Sequence, residues 1–463
     1  MKRFLFLVAT VLAACAPRFY PPQVTLPNSY ACNPGFAGLH EIDTCWWRMF
    51  GDTLLNRLVE RALTTNRDLA VAAARVEEAR ANLGVVRARY LPQIGAGVTA
   101  GGSYTDATRI VQSYAVEPTL SWEIPLFGAL RNTRRSARAQ IASTLWAYHG
   151  VRLSLAAQVA TAYFELLEYE QALSIARNSY RIRYESATLI DSMHRYGMSD
   201  GVALAQARSL VYQAEADIPR YERAVEDTRL SLAVLLGETA PQPERTGSDT
   251  RLERITMRMD IPMGLPSDLL NRRPDLMESR YGLFAAAAEV GVARSARFPS
   301  IGLTAKGGVA STSLKGLTRS NPWTWDAVGS ITAPILAFGK LKRSEQAAMA
   351  RYEQAMHRYE QNVLSAFSEV ETALDAIETY RLQTERYTAL VATNRKIAEM
   401  TQARYRSGIS DYFNVLDTQR DLYESQLQLA NLVAQQYINY VDLCKALGGG
   451  FGAYEACERQ YVR

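Results

Sequence analysis

The sequence predicts a mixed, mostly α-helical, internally duplicated chain, with long antiparallel α-helical coiled coils joined to four membrane β-strands. Three observations predict it. The first is a repeat: Tyr90-Leu91-Pro92-Gln93-Ile94-Gly95 returns as Arg297-Phe298-Pro299-Ser300-Ile301-Gly302, 207 residues later (299 − 92 = 207). The second is a switch, in each copy, to apolar–polar alternation over stretches of about 10 residues, the length that crosses a bilayer at a tilt. The third is that each copy then runs for about 65 residues without proline, a rod of about 100 Å if helical.

The repeat holds register. At offset 207, Asp68-Leu69 answers Asp275-Leu276 and Gly84-Val85 answers Gly291-Val292. At offset 211, Phe127-Gly128 answers Phe338-Gly339, Tyr212 answers Tyr423, and Leu236-Gly237 answers Leu447-Gly448. The second copy therefore carries four extra residues between Pro299 and Phe338 (211 − 207 = 4), where a loop accepts them most easily. A period of about 200 is too long for a solenoid and means two copies of one large unit. The expected division is 1–14 signal peptide, 15–51 N-terminal arm, 52–237 first repeat, 238–265 linker, 266–448 second repeat and 449–463 tail.

The N-terminus reads as a targeting segment. Lys2-Arg3 precedes the apolar run Phe4 to Leu12, which is too short to span a bilayer. Leu12-Ala13-Ala14-Cys15 looks like a bacterial lipobox, so cleavage before Cys15 and its acylation are expected; an ordinary signal peptide is the alternative. Ala16, in place of an inner-membrane retention aspartate, favours the outer membrane. Export implies an oxidising compartment, so Cys32, Cys45, Cys444 and Cys457 are candidates for disulfides. Three connectivities are open, and the local pairs Cys32–Cys45 and Cys444–Cys457 are the expected one. Such bridges would staple the terminal segments.

Residues 16–50, rich in Pro, Asn and Gly, read as an extended arm. Helix is expected from Asp52, with Leu54, Leu55, Leu58, Val59, Ala62 and Leu63 on one face, and again from Leu69 to Arg89, ended by Pro92. The period then becomes two. Ile94, Ala96, Val98 and Ala100 alternate with Gly95, Gly97, Thr99 and Gly101; Tyr114, Val116, Leu120, Trp122 and Ile124 oppose Glu117, Thr119, Ser121 and Glu123. The second copy repeats this with Ile301, Leu303, Ala305 and Val309, then with Trp323, Trp325, Ala327 and Ile331. Apolar residues outward, polar residues inward and tryptophans at the ends fit a membrane barrel; a soluble hairpin with one buried face is the alternative.

Leu130 to Arg195 contains one glycine, Gly150, and Lys340 to Arg406 contains none; neither contains proline. Each rod ends at a Gly-containing turn, around Gly197 and Gly408, and a return helix follows, for which Ser199 and Ser410 are the expected caps. Leu416, Leu422, Leu429, Leu432 and Tyr437 are spaced for helix-on-helix packing. Four strands cannot close a barrel, and lipid tolerates no open sheet edge, so the chain must oligomerise. Two copies would supply eight strands and three would supply twelve.

Other classes find little support. A net charge of +5 over 463 residues, without a basic face, gives no case for nucleic acid. His40, His149, His194 and His357 lack metal-ligand spacing, and there is no Ser-His-Asp order, phosphate loop or cofactor motif, so no enzyme activity and no cofactor is expected.

With these elements in place the chain resembles the TolC/OprM-type outer-membrane factors, specifically their lipidated, OprM- and NodT-like branch. The residues that carry the resemblance are Trp46-Trp47-Arg48-Met49-Phe50-Gly51-Asp52, Asn66-Arg67-Asp68-Leu69 with Arg273-Pro274-Asp275-Leu276, the strand-opening Pro92 and Pro299, Phe338-Gly339, Tyr405-Arg406-Ser407-Gly408 and Leu416-Asp417-Thr418-Gln419-Arg420. Their order and spacing match over nearly the whole mature chain, though no single motif is strong. The resemblance implies a homotrimer with a twelve-stranded barrel in the outer membrane, an α-helical tunnel through the periplasm, and an equatorial collar from linker and termini. Its implied partners are outer-membrane lipid, a periplasmic adaptor and an inner-membrane transporter, commonly of the proton-driven RND type. The chain would be a passive exit duct for drugs and other small molecules; a type I protein secretion channel and a metal-ion efflux conduit are the alternatives.

By the same resemblance the periplasmic gate falls at Phe413 and Asp417, one helical turn apart, with Arg420 placed to pair with Asp417. Three Phe413 would form an apolar constriction and three Asp417 an anionic ring. Offset 211 puts Gln206 opposite Asp417, so the gate charge belongs to one copy only. The turns at Gly197, Ser199, Gly408 and Ser410 are the expected adaptor contacts.

Overall fold

The computed structural model describes residues 45–105, 109–125, 127–239, 269–319 and 323–450. Cys15, Cys32, Cys457, nearly all of the predicted linker and most of the predicted tail lie outside the described residues.

Each repeat follows one plan. In the first, α1 (Thr53–Thr65) and α2 (Arg67–Ala88) lead to β1 (Gln93–Thr105) and β2 (Arg109–Ile124), then to α3 (Ala129–Arg195) and its return helix α4 (Gly201–Leu235). In the second, the short α5 (Leu269–Arg272) and α6 (Pro274–Ser295) lead to β3 (Ser300–Ser311), a helical turn α7 (Gly316–Arg319) and β4 (Trp323–Thr332), then to α8 (Lys340–Arg406) and α9 (Tyr412–Ala446). The long helices α3 and α8 each have 67 residues, which at 1.5 Å per residue is about 100 Å. The four strands form one antiparallel sheet in the order β1-β2-β3-β4. Among the described residues no helix is long and apolar enough to cross a membrane.

The strands depart from the uniform expected length, at 13, 16, 12 and 10 residues. Both faces of β4 are exposed in a single chain, and Trp325 is 84% exposed. The extra residues of the second copy fall in one loop. Gln93 pairs with Ser121 and Ser300 with Thr332, so an offset of 207 on the first strand becomes 211 on the second (332 − 121 = 211). The insertion is thus the β3–β4 turn, which contains α7. Pro118 has no N–H to donate, and the β2–β3 ladder skips it, passing from Val116↔Val309 to Thr119↔Lys306.

The core lies where the two repeats meet. The end of the predicted extended arm is in fact a buried 3-10 turn, Trp46–Phe50. Its aromatic residues have no other place to hide from water: Phe50 packs edge-on against Phe164 of α3 at 5.0 Å and against Tyr437 of α9 at 6.2 Å, and Phe164 stacks on Tyr437 at 5.0 Å. Asp52 caps α1 by accepting from Leu54 N at 2.8 Å, and its other oxygen accepts from the fully buried Tyr163 hydroxyl at 2.5 Å. One carboxylate therefore starts a helix and ties it to the rod.

Each repeat closes on itself through the same pair of contacts made with different residues. Asn66 Nδ2 donates to Leu235 O at 2.9 Å; at the matching positions, Arg273 Nη1 donates to Ala446 O at 2.9 Å. Arg273 is buried and holds Asp275 and Glu369, each at 2.7 Å. Gly237 and Gly448 both have positive φ, +72° and +90°. A Cβ on Gly237 would sit 2.6 Å from Thr65 O, and one on Gly448 would sit 3.0 Å from Arg272 O.

Two details of the return helices differ from expectation. Asp200, not Ser199, caps α4 by accepting from Ala203 N at 2.7 Å, because the carboxylate sits one residue closer to the first turn. The N-cap of α9 is Asp411, not Ser410. Ser199 instead offers its carbonyl to His194 Nδ1 at 2.9 Å. Pro219 interrupts the backbone ladder inside α4, whereas α9 has Ala430 there (430 − 211 = 219).

Gly237→Ala should destabilise the chain by more than about 1–2 kcal/mol, the cost of a left-handed non-glycine residue before the clash with Thr65 is added. Thermal melting followed by circular dichroism checks this, with Gly197→Ala as comparator, since a Cβ there meets nothing within 4 Å and only the φ penalty applies.

Candidate functional site, the tips of the helical hairpins

Two turns form the end of the molecule remote from the sheet. Gly197 (φ +73°) and Gly408 (φ +72°) each terminate a rod in the same way. Met198 N donates back to Met193 O at 2.8 Å and Ile409 N to Arg404 O at 2.9 Å, satisfying carbonyls that the helix leaves open. The tips are joined by Tyr405, whose hydroxyl reaches Met193 Sδ at 3.6 Å and whose ring lies 5.2 Å from Tyr412. Burial raises the Tyr412 pKa to about 12, so its phenol stays neutral.

The structure brings Phe413, Asp417 and Arg420 to one face of α9. Arg420 Nη2 donates to Asp417 Oδ1 at 2.5 Å, with Asp421 a further 3.6 Å neighbour, and Phe413 is 62% exposed beside them. The adjoining face carries the buried Tyr412, Val415, Leu416 and Tyr423. In a single chain the Asp417–Arg420 pair is solvated and contributes little to stability. A ring of such groups narrowed around an axis would have more effect on charge selection than on folding.

A second set of residues behind this face was not anticipated from the sequence. Arg183 of α3 is 4% exposed; its Nη1 donates to Leu210 O of α4 at 3.2 Å, and its guanidinium lies 5.0 Å from the Tyr423 ring centre. The Tyr423 hydroxyl donates to Asp217 Oδ2 of α4 at 2.8 Å. Burial, then the hydrogen bond to Asp217, raises the pKa of Tyr423, while burial lowers that of Arg183. These three residues clamp α9 onto the α3–α4 hairpin. At offset 211 their counterparts are Asn394, Tyr212 and Gln428, which lack the charges. Asn394 Nδ2 keeps the backbone contact, donating to Asp421 O at 3.3 Å as Arg183 does to Leu210 O, and adds a neutral one to Ser425 Oγ at 3.2 Å.

The hairpins differ once more. Arg208 of α4 meets Asp191 of α3 at 3.0 Å, and Arg195 meets the same carboxylate at 2.7 Å. Offset 211 replaces Asp191 and Arg208 by Gln402 and Gln419. Both glutamines have a buried Oε1 without a hydrogen-bond partner and line a cleft of ≈ 540 Å³ between α3, α8 and α9. The signal that could have found the clamp was present in the sequence: matched positions that keep the fold but exchange charged for neutral side chains.

The cysteine pairing lies partly outside the described residues. Cys45 packs at the edge of the aromatic core, and the buried Cys444 Sγ lies 3.7 Å from Met49 Sδ.

Long antiparallel rods, a sheet with two open edges in one chain and an exposed polar helix face near the far tip define a channel subunit, one that spans lipid with strands and an aqueous space with helices. The chain belongs to the outer membrane efflux protein family, whose model matches residues 58–238 and again 265–449. It is 35% identical over 410 residues to the solvent efflux pump outer membrane protein SrpC of Pseudomonas putida, covering 87% of this chain and 86% of that one. It is 32% identical over 450 residues to the probable outer membrane lipoprotein SilC of Salmonella typhimurium, covering 95% and 97%. Its structure resembles the open state of the MtrE outer membrane channel of Neisseria gonorrhoeae, with a TM-score of 0.83 at 28% identity, covering 94% of this chain and 98% of that one. The protein is thus a TolC/OprM-type outer-membrane factor, with the trimeric barrel and helical tunnel of that fold.

Tyr423→Phe should remove about 1 kcal/mol by deleting its hydrogen bond to Asp217. Hydrogen–deuterium exchange should then quicken in the first half of α9, whereas Tyr212→Phe, on an exposed ring, should leave exchange there unchanged.

Proposed function

We propose that the protein is the outer-membrane exit duct of a tripartite efflux pump, a passive conduit for drugs and other small molecules with no turnover of its own. The observation that carries this reading is the continuity of membrane strands and ~100 Å rods within one chain. A path built in that way joins two compartments without a lipid-exposed break. The efflux-pump names of relatives such as SrpC support an efflux role over protein secretion.

In this reading a periplasmic adaptor holds the turns at Gly197, Ser199, Gly408 and Ser410, and links the duct to an inner-membrane transporter of RND type. Acylated Cys15 anchors the arm in outer-membrane lipid, a reading supported by the lipobox and by the lipoprotein name of SilC. Three copies of Phe413 and Asp417 narrow the periplasmic end, and Arg420 holds the aspartates in the closed state. The Arg183–Tyr423–Asp217 clamp keeps α9 on its neighbours within each chain, so opening must either break it or move the clamped hairpins together.

Deleting the gene should lower the inhibitory concentration of several chemically unrelated drugs by fourfold or more; unchanged susceptibility, with the protein shown to be expressed beforehand, would remove the efflux reading. In planar bilayers Asp417→Ala should raise single-channel conductance and weaken cation selectivity. An unchanged conductance would show that Asp417 does not line the constriction. Cys15→Ser should abolish labelling by a palmitate analogue.

A further inference from the structure

The two repeats share a scaffold but not its charges, and they differ where the rods leave the sheet. β2 ends at Ile124 and α3 begins at Ala129. The first turns of α3 carry Arg131, Arg134, Arg135 and Arg138, and the chain has no acidic residue from Pro125 to Phe164. Arg87, near the end of α2, joins them: burial, then repulsion by Arg134 and Arg87, lowers the pKa of Arg138. Among the described residues no carboxylate forms an ion pair with Arg87, Arg131, Arg134 or Arg138. Nε of Arg134 and of Arg138 is buried without a hydrogen-bond partner. Glu289 of α6, which reaches this end of α3, accepts from Ser136 Oγ at 2.8 Å instead. Like charges gathered without a counter-ion destabilise a fold, and an anion from outside the chain would relieve that.

The second repeat lacks this cluster. Offset 211 replaces Arg134, Arg135 and Arg138 by Glu345, Gln346 and Met349, and offset 207 replaces Tyr90 by Arg297. Arg297 and Glu345 neutralise each other at 2.6 Å. Where the second repeat has an internal ion pair, the first has an excess of positive charge. That excess lies at the periplasmic edge of the membrane. A Cβ on Gly128 would sit 3.5 Å from Arg131 Nη2, so this guanidinium folds back to the junction of strand and rod. Arg138 is seven residues along the helix from it (138 − 131 = 7), about 10 Å and thus about one Debye length. The cluster also lies towards lipid. Trp122 shares the apolar, outward face of β2 with Leu120 and Ile124, and its Nε1 donates to Tyr90 O at 3.1 Å. Tyr90 is among the groups that act electrostatically on Arg138.

We propose that Arg87, Arg131, Arg134 and Arg138 bind the phosphate of an anionic phospholipid in the periplasmic leaflet of the outer membrane, at one site per chain. The proposal rests on the outer-membrane channel reading and adds to it a lipid site in the first repeat only. A planar guanidinium grips a phosphate through two parallel N–H donors, and Nε with one Nη is such a pair. Arg134 and Arg138 both have that Nε uncommitted. A phosphate between them would also quench the repulsion that each feels from the other. An anionic headgroup fits better than a zwitterionic one, because no carboxylate of the cluster is there to hold an ammonium group. Basic side chains beside a membrane attract anionic lipid within about one Debye length of its surface, and Arg131 to Arg138 fall within that reach.

The test is native mass spectrometry of the full-length trimer in detergent, with phosphatidylglycerol or phosphatidylethanolamine added. Phosphatidylglycerol should bind about tenfold more tightly than phosphatidylethanolamine, fill one site per chain first, and be displaced as salt rises. Arg134→Gln with Arg138→Gln should weaken phosphatidylglycerol binding about tenfold or more. Lys342→Gln with Arg343→Gln, at the same place in the second repeat, should change it by less than about twofold, since that repeat has its own ion pair. Arg134→Lys with Arg138→Lys should fall between, keeping the charge but not the paired donors. Equal binding of the two lipids, or equal loss from the second-repeat pair, would overturn the proposal. So would a glutamine variant that binds phosphatidylglycerol as the parent does but shifts the reversal potential of the channel in planar bilayers, because the arginines would then face the lumen. If the glutamine variants fail to assemble, the lysine pair and the salt dependence of the parent protein decide. Fractionation of the parent protein with the inner membrane would overturn the outer-membrane reading beneath the proposal.

Discussion

A hydrocarbon layer offers no hydrogen bonds, and the rest of this structure follows from that. Each backbone N–H or C=O left unpaired in lipid costs several kcal/mol, so strands that cross a bilayer must form a closed ring. This chain supplies four strands with β1 and β4 as edges, and it cannot satisfy them alone. Helices carry no such obligation, because their backbone bonds close internally. The chain therefore spans lipid with strands and the periplasm with rods, and places the change between them at Phe127-Gly128 and Phe338-Gly339, where Gly128 and Gly339 share a positive φ of 82°.

Duplication within one gene lets matched positions diverge without losing the shared scaffold. Where the scaffold needs a particular geometry, the copies stay alike: Gly237 and Gly448 both lie against the backbone that precedes the partner helix, and Asn66 and Arg273 reach the same carbonyl with different side chains. At the tips the copies separate. The first hairpin is tied by Arg208–Asp191 and the second has glutamines there; the Arg183–Tyr423–Asp217 clamp joins the first hairpin to α9 within the chain, and the positions matching it are Asn394, Tyr212 and Gln428. A ring built from such chains would have strong and weak seams in alternation. Such a ring can change its bore by moving clamped units as bodies, at lower cost than loosening every contact equally.

Much of the architecture was legible because its signals are long. A proline-free run from Lys340 to Arg406 or a period-two stretch such as Tyr114 to Ile124 extends over many residues, and no local exception outweighs it. The gate face was legible only through family resemblance, since Phe413, Asp417 and Arg420 look like any exposed helix face. Short-range choices were misread where two adjacent residues compete for one role. Ser199 and Asp200 can both cap α4, and which oxygen reaches Ala203 N depends on how the turn at Gly197 aims the chain. The buried 3-10 turn Trp46–Phe50 was missed because its apolar partners, Phe164 and Tyr437, are distant in sequence.

Sequence alone determined the two repeats, the rods, the membrane strands and the need for more than one chain, because each is a matter of periodicity and of backbone hydrogen bonds that must close. Tertiary structure decided what those patterns leave open. It placed the extra residues in the β3–β4 turn, joined Arg183, Tyr423 and Asp217 from three helices, and showed which face of each repeat is still uncovered. Such facts depend on side chains from distant segments meeting at a few ångströms, and periodicity within a segment carries no information about that.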